Sequence, residues 1–156
     1  DIGDEGELRD SDKKYVTLDR KKAESYQLRK GDLLLARTGA TFGKILHFEE
    51  TEPAIFASFL IRLNPDVSLD PFYIWLFSRS QNYWRQARTL MTGSGQPQFN
   101  ANKLKQIKIS VPPPEKQKQI VAKLSAVQGY KKQLLEQKSK LKELFDSALA
   151  KSMSNK

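Results

Sequence analysis

The segment Gly39-Ala-Thr-Phe-Gly43-Lys44 combines two glycines with a lysine, a pattern that can bind phosphate. A nucleotide-binding P-loop has four residues between its glycines and a serine or threonine directly after its lysine. Here three residues separate the glycines and Ile45 follows the lysine, so the spacing does not match. The segment instead predicts a β-hairpin loop, whose polar and basic side chains are Arg37, Thr38, Thr41 and Lys44.

Catalysis would need a constellation of reactive side chains, and the sequence offers two starting points. Asp70-Pro71-Phe72-Tyr73 resembles the Asp-Pro-Pro-Tyr motif of adenine methyltransferases, but the second proline and a Gly-rich cofactor loop are missing. A helix start, with Asp70 as N-cap and Pro71 in the first turn, explains the same residues. His47 is the only histidine and cysteine is absent, so neither a zinc site nor a Ser-His triad is expected. The sequence therefore predicts a protein that is not an enzyme and holds no metal or cofactor.

The loop 92–100, Thr-Gly-Ser-Gly-Gln-Pro-Gln-Phe-Asn, carries side chains that suit base recognition. Glutamine and asparagine can bond adenine edges bidentately, and glycine lets the backbone approach a ligand closely. The residue types alone favour an ordinary connecting loop, and a DNA-reading loop is the alternative. With the flanking basic residues added, the candidate DNA-binding residues are Arg37, Thr38, Thr41, Lys44, Arg85, Arg88, Thr92, Ser94, Gln96, Gln98, Asn100 and Lys103.

The chain is strongly basic, with a formal net charge of +9 that is unevenly distributed. Residues 1–12 have six acidic side chains and one arginine, whereas residues 115–156 have ten lysines against four acidic side chains. All eight arginines lie before residue 89, so a DNA reader is expected in the first part of the chain. The charge alone is compatible both with a polyanion partner and with a lysine-rich surface that has no such partner.

Hydrophobic patterning predicts the elements that must position these residues. The fold class is α+β, a mostly-β domain with a few helices, followed by one long helix. The predicted strands are residues 15–18, 33–36, 44–48, 54–63 and 107–111. The predicted helices before the long one are a turn at 20–24, one helix from Asp70 to about Arg88, and a short helix at 100–106.

The last part of the chain, residues 112–156, predicts a proline hinge followed by one long helix. Glu115 suits the positive end of the helix dipole, and no further proline follows. At about 1.5 Å per residue, an unbroken helix to about residue 152 is roughly 55–60 Å long. Its apolar stripe needs a partner surface, and the polar breaks at Lys131 and Lys138 fit a short antiparallel coiled coil better than a long uniform dimer. The pairing residues are Ile120, Leu124, Val127, Leu134, Leu141, Phe145 and Ala148.

The composition limits the remaining possibilities. A length of 156 residues fits one domain plus an extension, which we place at residues 1–111 and 112–156. No apolar run approaches the roughly 20 residues that span a bilayer, so a cytoplasmic location without a membrane partner is the expectation. The absence of an initiating methionine predicts a fragment or a processed chain.

Three stretches together resemble the DNA-specificity subunit of type I restriction-modification systems. They are residues 29–44, residues 92–100, and residues 107–124 with the sequence Ile-Lys-Ile-Ser-Val-Pro-Pro-Pro-Glu-Lys-Gln-Lys-Gln-Ile-Val-Ala-Lys-Leu. Their order also matches, since a recognition domain is followed by a proline hinge and then a long helix. The third stretch is the most specific, because proline, glutamine and the apolar stripe occur together.

The resemblance implies a recognition domain that reads half of a bipartite target in double-stranded DNA. It also implies a helix that pairs with a second long helix and docks modification (methyltransferase) subunits, which carry S-adenosyl methionine. The restriction subunit joins that complex for cleavage. The complete subunit has two recognition domains and two helices, so this chain corresponds to a half-subunit that pairs with itself or with a second half, or to a fragment. The alternative is a protein-interaction adaptor on a coiled-coil stalk that binds no DNA.

Overall fold

The computed structural model describes residues 2–3, 6–8, 14–91 and 98–154. The elements in chain order are helix α1 (Arg20–Glu24), strand β1 (Leu33–Ala36), a short 3-10 helix (Gly39–Thr41), strands β2 (Ile45–His47) and β3 (Leu60–Leu63), and helices α2 (Pro71–Ser78), α3 (Gln81–Leu90), α4 (Ala101–Leu104) and α5 (Pro114–Ser154). This arrangement confirms the α+β class and the long C-terminal helix.

The three strands form one antiparallel sheet in the order β2-β1-β3. All four residues of β1 are buried, because the sheet is covered on both faces. Leu33 and Leu35 belong to a core cluster with residues of α3, whereas Leu34 and Ala36 belong to a second cluster on the opposite face. The uninterrupted apolar run of β1 is thus the pattern of a central strand.

Side-chain caps divide the helical region after β3. Asp70 Oδ1 accepts hydrogen bonds from the backbone N–H groups of Phe72 and Tyr73, which confirms the predicted start of α2. The prediction of one continuous helix to Arg88 is wrong, because α2 ends at Ser78. Ser80 caps a second helix by accepting from the N–H of Tyr83 at 3.2 Å. A serine that bonds the nearby backbone favours such a break.

Two predicted strands are wrong and two are shorter than expected, one of them only slightly, because β2 spans Ile45–His47 and not residues 44–48. Residues 15–18 form no strand, and Tyr15 is 94% exposed. The strand predicted at 54–63 begins only at Leu60. Residues 107–111 also pair with no strand. The side-chain amide of Gln86 instead bonds the backbone N–H and carbonyl of Lys108. The N–H of Lys108 donates to Gln86 Oε1 at 2.8 Å, and Gln86 Nε2 donates to the Lys108 carbonyl at 2.9 Å.

The chain divides into two compact units, Asp1–Lys118 and Gln119–Lys156. In the second unit, apolar side chains lie exposed along α5. Leu124, Val127, Leu134, Leu141 and Phe145 are 43–67% exposed. None of the helices in the described part of the chain has both the length and the apolar character needed to cross a bilayer.

Candidate nucleic-acid interface

The two loops that carry the predicted DNA-binding residues are neighbours in the fold. The backbone N–H of Phe99 donates to the carbonyl of Arg37 at 2.8 Å. One residue further on each side, Thr38 and Gln98 form an antiparallel bridge. The hairpin loop between β1 and β2 therefore lies beside the end of the loop that precedes α4.

Phe99 anchors the second loop by burying its side chain. The ring is only 1% exposed and meets the ring of Phe42 edge-on, with 5.5 Å between their centroids. Asn100 follows at the surface and caps α4, since its Oδ1 accepts from the N–H of Lys103 at 2.9 Å. Gln98 and Asn100, on either side of the buried ring, are both exposed.

Helix α3 contacts the hairpin loop at Gly43. Gly43 has a φ of +75°, and a Cβ there would lie 3.1 Å from Cζ3 of Trp84, so the position requires glycine. The hydroxyl of Tyr83 donates to the Gly43 carbonyl at 2.5 Å. Burial raises the pKa of Tyr83, so its hydroxyl keeps the proton that it donates. The loop conformation thus depends on two aromatic side chains of α3.

The basic candidates differ in exposure. Arg37, Arg85 and Arg88 are exposed, whereas Lys44 and Lys103 are half-buried. Within residues 14–91 and 98–154, none of these three arginines forms an ion pair. The guanidinium of Arg88 lies 6.0 Å from the ring centroid of Trp84, the residue that contacts Gly43. Arg88 is therefore linked to the hairpin loop through this tryptophan.

The structure brings one group of the predicted residues together. Along the joined loops lie Arg37, Thr38, Thr41, Lys44, Gln98 and Asn100, and Lys103 follows in α4. Arg88 is linked to them through Trp84. Arg85 instead lines a groove with residues 105–108. Thr92, Ser94 and Gln96 lie outside the described residues.

Gln117 has a structural role that sequence reasoning missed. Its side chain is 1% exposed and makes three hydrogen bonds within the first unit. Oε1 accepts from the N–H of Asp70 at 2.9 Å, and Nε2 donates to the carbonyls of Ser68 at 2.7 Å and Pro112 at 2.9 Å. The first turn of α5 is thereby bound to the segment that starts α2. The available signal was a glutamine three residues after the last proline of the hinge, in the first turn of the long helix.

Arg62 is a second residue that the sequence did not single out. Its guanidinium lies 3.3 Å from a carboxylate oxygen of Asp32, donates to the carbonyl of Gln27, and packs over the ring of Phe56 at 4.9 Å. These three contacts join β3 to the turn before β1 and to the segment after α1. Arg62 is therefore engaged inside the fold.

His47 packs at the boundary between β2 and α2. Its ring meets Phe72 edge-on at 5.1 Å, and Nδ1 lies 3.5 Å from Glu49 Oε1. Burial lowers the pKa of His47 and outweighs the opposing effects of Glu49 and Asp70. Among the described residues, no group of three or more His, Cys, Asp or Glu side chains could hold a metal ion.

A comparison with known protein families identifies the chain. Residues 3–146 match the type I restriction modification DNA specificity domain. No curated protein matched the sequence. The matched range contains the sheet, both joined loops, the proline segment and most of α5. Because the match covers far more than half of its length, the chain belongs to the family of type I restriction modification DNA specificity domains, which recognise DNA targets.

Proposed function

We propose that this chain is one recognition half of a type I specificity subunit and directs the modification and restriction subunits to one part of a bipartite target. Residues 1–111 form the recognition domain, and residues 112–156 form the hinge and the spacer helix. The single observation that carries the proposal is the junction of the two loops through Arg37 and Phe99. It gathers exposed amide and guanidinium groups on one face of a folded domain.

The joined loops divide the work of recognition by side-chain type. Gln98 presents an amide that can bond the edge of adenine in the major groove, and Asn100 can donate from Nδ2 while its Oδ1 caps α4. Arg37, Lys44 and Arg88 suit phosphate oxygens, contacts that orient the protein without reading sequence. Thr38, Thr41, Lys103 and the loop residues Thr92, Ser94 and Gln96 complete the proposed DNA face.

The exposed stripe of α5 supports the second part of the proposal. Apolar side chains such as Leu141 and Phe145 are about two-thirds exposed, and burial against another helix would remove that area from water. In the proposed assembly, α5 pairs antiparallel with the long helix of a second half or of a second copy of this chain. The paired helices dock the modification subunits, which supply the chemistry, and the chain itself acts in the cytoplasm without catalysing a reaction.

Duplex binding tests the proposal. The chain, together with the modification subunits, is titrated into a library of labelled duplexes, and the bound fraction is sequenced. We expect enrichment of one short motif, with an affinity that falls steeply as salt increases. A complex that assembles normally but enriches no motif and shows no salt-dependent DNA affinity would contradict the proposal. It would favour an adaptor that uses the exposed stripe of α5 for protein partners alone.

A further inference from the structure

A second surface of the recognition domain combines a groove with positive charge. The groove lies between α3 and the segment after α4 and has a volume of about 640 Å³. Its lining residues are Arg85, Gln86, Thr89, Leu90, Lys105, Gln106, Ile107 and Lys108. Three of them are basic and none is acidic, so the groove favours an anionic occupant.

The two sides of the groove are joined by contacts that do not involve its charged groups. Both polar atoms of the Gln86 amide are bonded to the backbone of Lys108, at 2.8 and 2.9 Å. Leu90 and Ile107 form the apolar floor and pack against the core cluster that contains Tyr83. Arg85, Lys105 and Lys108 are exposed at the rim. The fold thus combines an apolar floor with a basic rim.

The rim continues the face formed by the joined loops. Arg85 and Arg88 lie three residues apart on α3 and therefore share one side of that helix. Arg88 lies over Trp84, and Trp84 contacts the hairpin loop at Gly43. Basic side chains consequently extend from the hairpin loop, across α3, to Lys105 and Lys108.

We propose that this groove binds the sugar–phosphate backbone of DNA beside the bases that the joined loops read. Arg85, Lys105 and Lys108 would contact phosphates, and the apolar floor at Leu90 and Ile107 would face deoxyribose. The inference rests on the proposed function, and it adds Lys105 and Lys108 as contacts that are independent of sequence. Continuity with the recognition face favours DNA over an acidic peptide as the occupant.

The double variant Lys105→Gln/Lys108→Gln tests the groove. Affinity is measured by fluorescence anisotropy at several salt concentrations, with the enriched duplex and with an unrelated one. We expect both affinities to fall by the same factor. We also expect the slope of log K against log salt to become shallower by about 2, since each lost phosphate contact accounts for about 0.9. The matched control is Lys140→Gln/Lys142→Gln, which removes the same charge from exposed positions of α5.

The possible results separate the two proposals. If the wild-type chain binds no duplex, the proposed function and the groove inference both fail. If it binds selectively but the groove variant and the α5 variant behave alike, the groove inference alone is wrong. If the groove variant keeps its DNA affinity but loses binding to an acidic peptide probe such as poly-glutamate, the groove takes protein and the inference is overturned. Thermal unfolding of both variants confirms that the fold is retained.

Discussion

The backbone N–H of Phe99 donates to the carbonyl of Arg37 at 2.8 Å, although one side chain is buried and the other is not. The phenylalanine ring is 1% exposed, whereas the arginine side chain lies at the surface. One hydrogen bond therefore connects a core anchor to a candidate phosphate contact. The position of the recognition face thus depends on the packing of an aromatic residue beneath it.

Replacing that anchor should destabilise the domain. We expect Phe99→Ala to lower the free energy of unfolding by about 3–5 kcal/mol, because a buried ring is lost and a cavity is left against Phe42. The matched control is Phe59→Ala, since Phe59 is 55% exposed, and there we expect a loss of about 1 kcal/mol or less. Urea unfolding measures both, and equal losses would show that Phe99 is not an anchor.

The buried amide of Gln117 should matter through hydrogen bonding. Gln117→Leu removes the partner of the Asp70 N–H and of the Ser68 and Pro112 carbonyls. We expect a loss of about 1–3 kcal/mol in the free energy of unfolding. Gln119→Leu makes the same change at an exposed position two residues later and should be nearly neutral. A Gln117 variant as stable as this control would contradict the role of the amide.

Base-reading and phosphate-binding residues should respond differently to substitution. Gln98→Ala, and likewise Gln96→Ala, should alter which duplex sequences are preferred, because an amide that can pair with a base edge is lost. Lys44→Ala should weaken binding to all sequences alike and reduce its salt dependence. Motif enrichment and anisotropy distinguish the two effects. The same non-selective loss in both kinds of variant would disprove the proposed division of labour.

His47 should make stability depend on pH in the mildly acidic range. Burial lowers its pKa in the folded state below the ordinary value of about 6.5, so the unfolded chain binds its proton first as pH falls. The stability contributed by neutral His47 is therefore complete above about pH 6.5 and decreases as pH falls toward the folded-state pKa. Because His47 is the only histidine, His47→Gln should flatten this part of the profile. Urea midpoints between pH 5 and 7 provide the measurement. If the variant keeps the wild-type profile, a group other than His47 causes the pH dependence of stability.

The stripe on α5 should control assembly. Light scattering of the wild-type chain is expected to show a dimer that becomes a larger, defined complex when the modification subunits are added. Leu141→Ser and Phe145→Ser remove exposed apolar area from the stripe and should shift the dimer toward monomer. Lys140→Ser, beside the stripe, should not. A strictly monomeric wild-type chain would rule out pairing of the chain with itself.

Local interactions made part of this structure predictable from sequence. The caps at Asp70 and Asn100 bond backbone groups two or three residues away, so they can be recognised without the fold. The buried run of β1 and the repeated apolar positions of α5 are likewise properties of one segment. The family resemblance also followed from residue order along the chain.

Tertiary structure decided the relationships between distant segments. Alternating residues at 107–111 predicted a strand, but Gln86 satisfied the Lys108 backbone instead. The Thr38–Gln98 bridge and the hydrogen bonds of Gln117 to Asp70 and Ser68 likewise join residues that lie far apart in the sequence. A polar side chain has the same donors and acceptors wherever it stands in a sequence. Which of them meet depends on how the core brings segments together, and that packing joined two separate loops into one candidate DNA face.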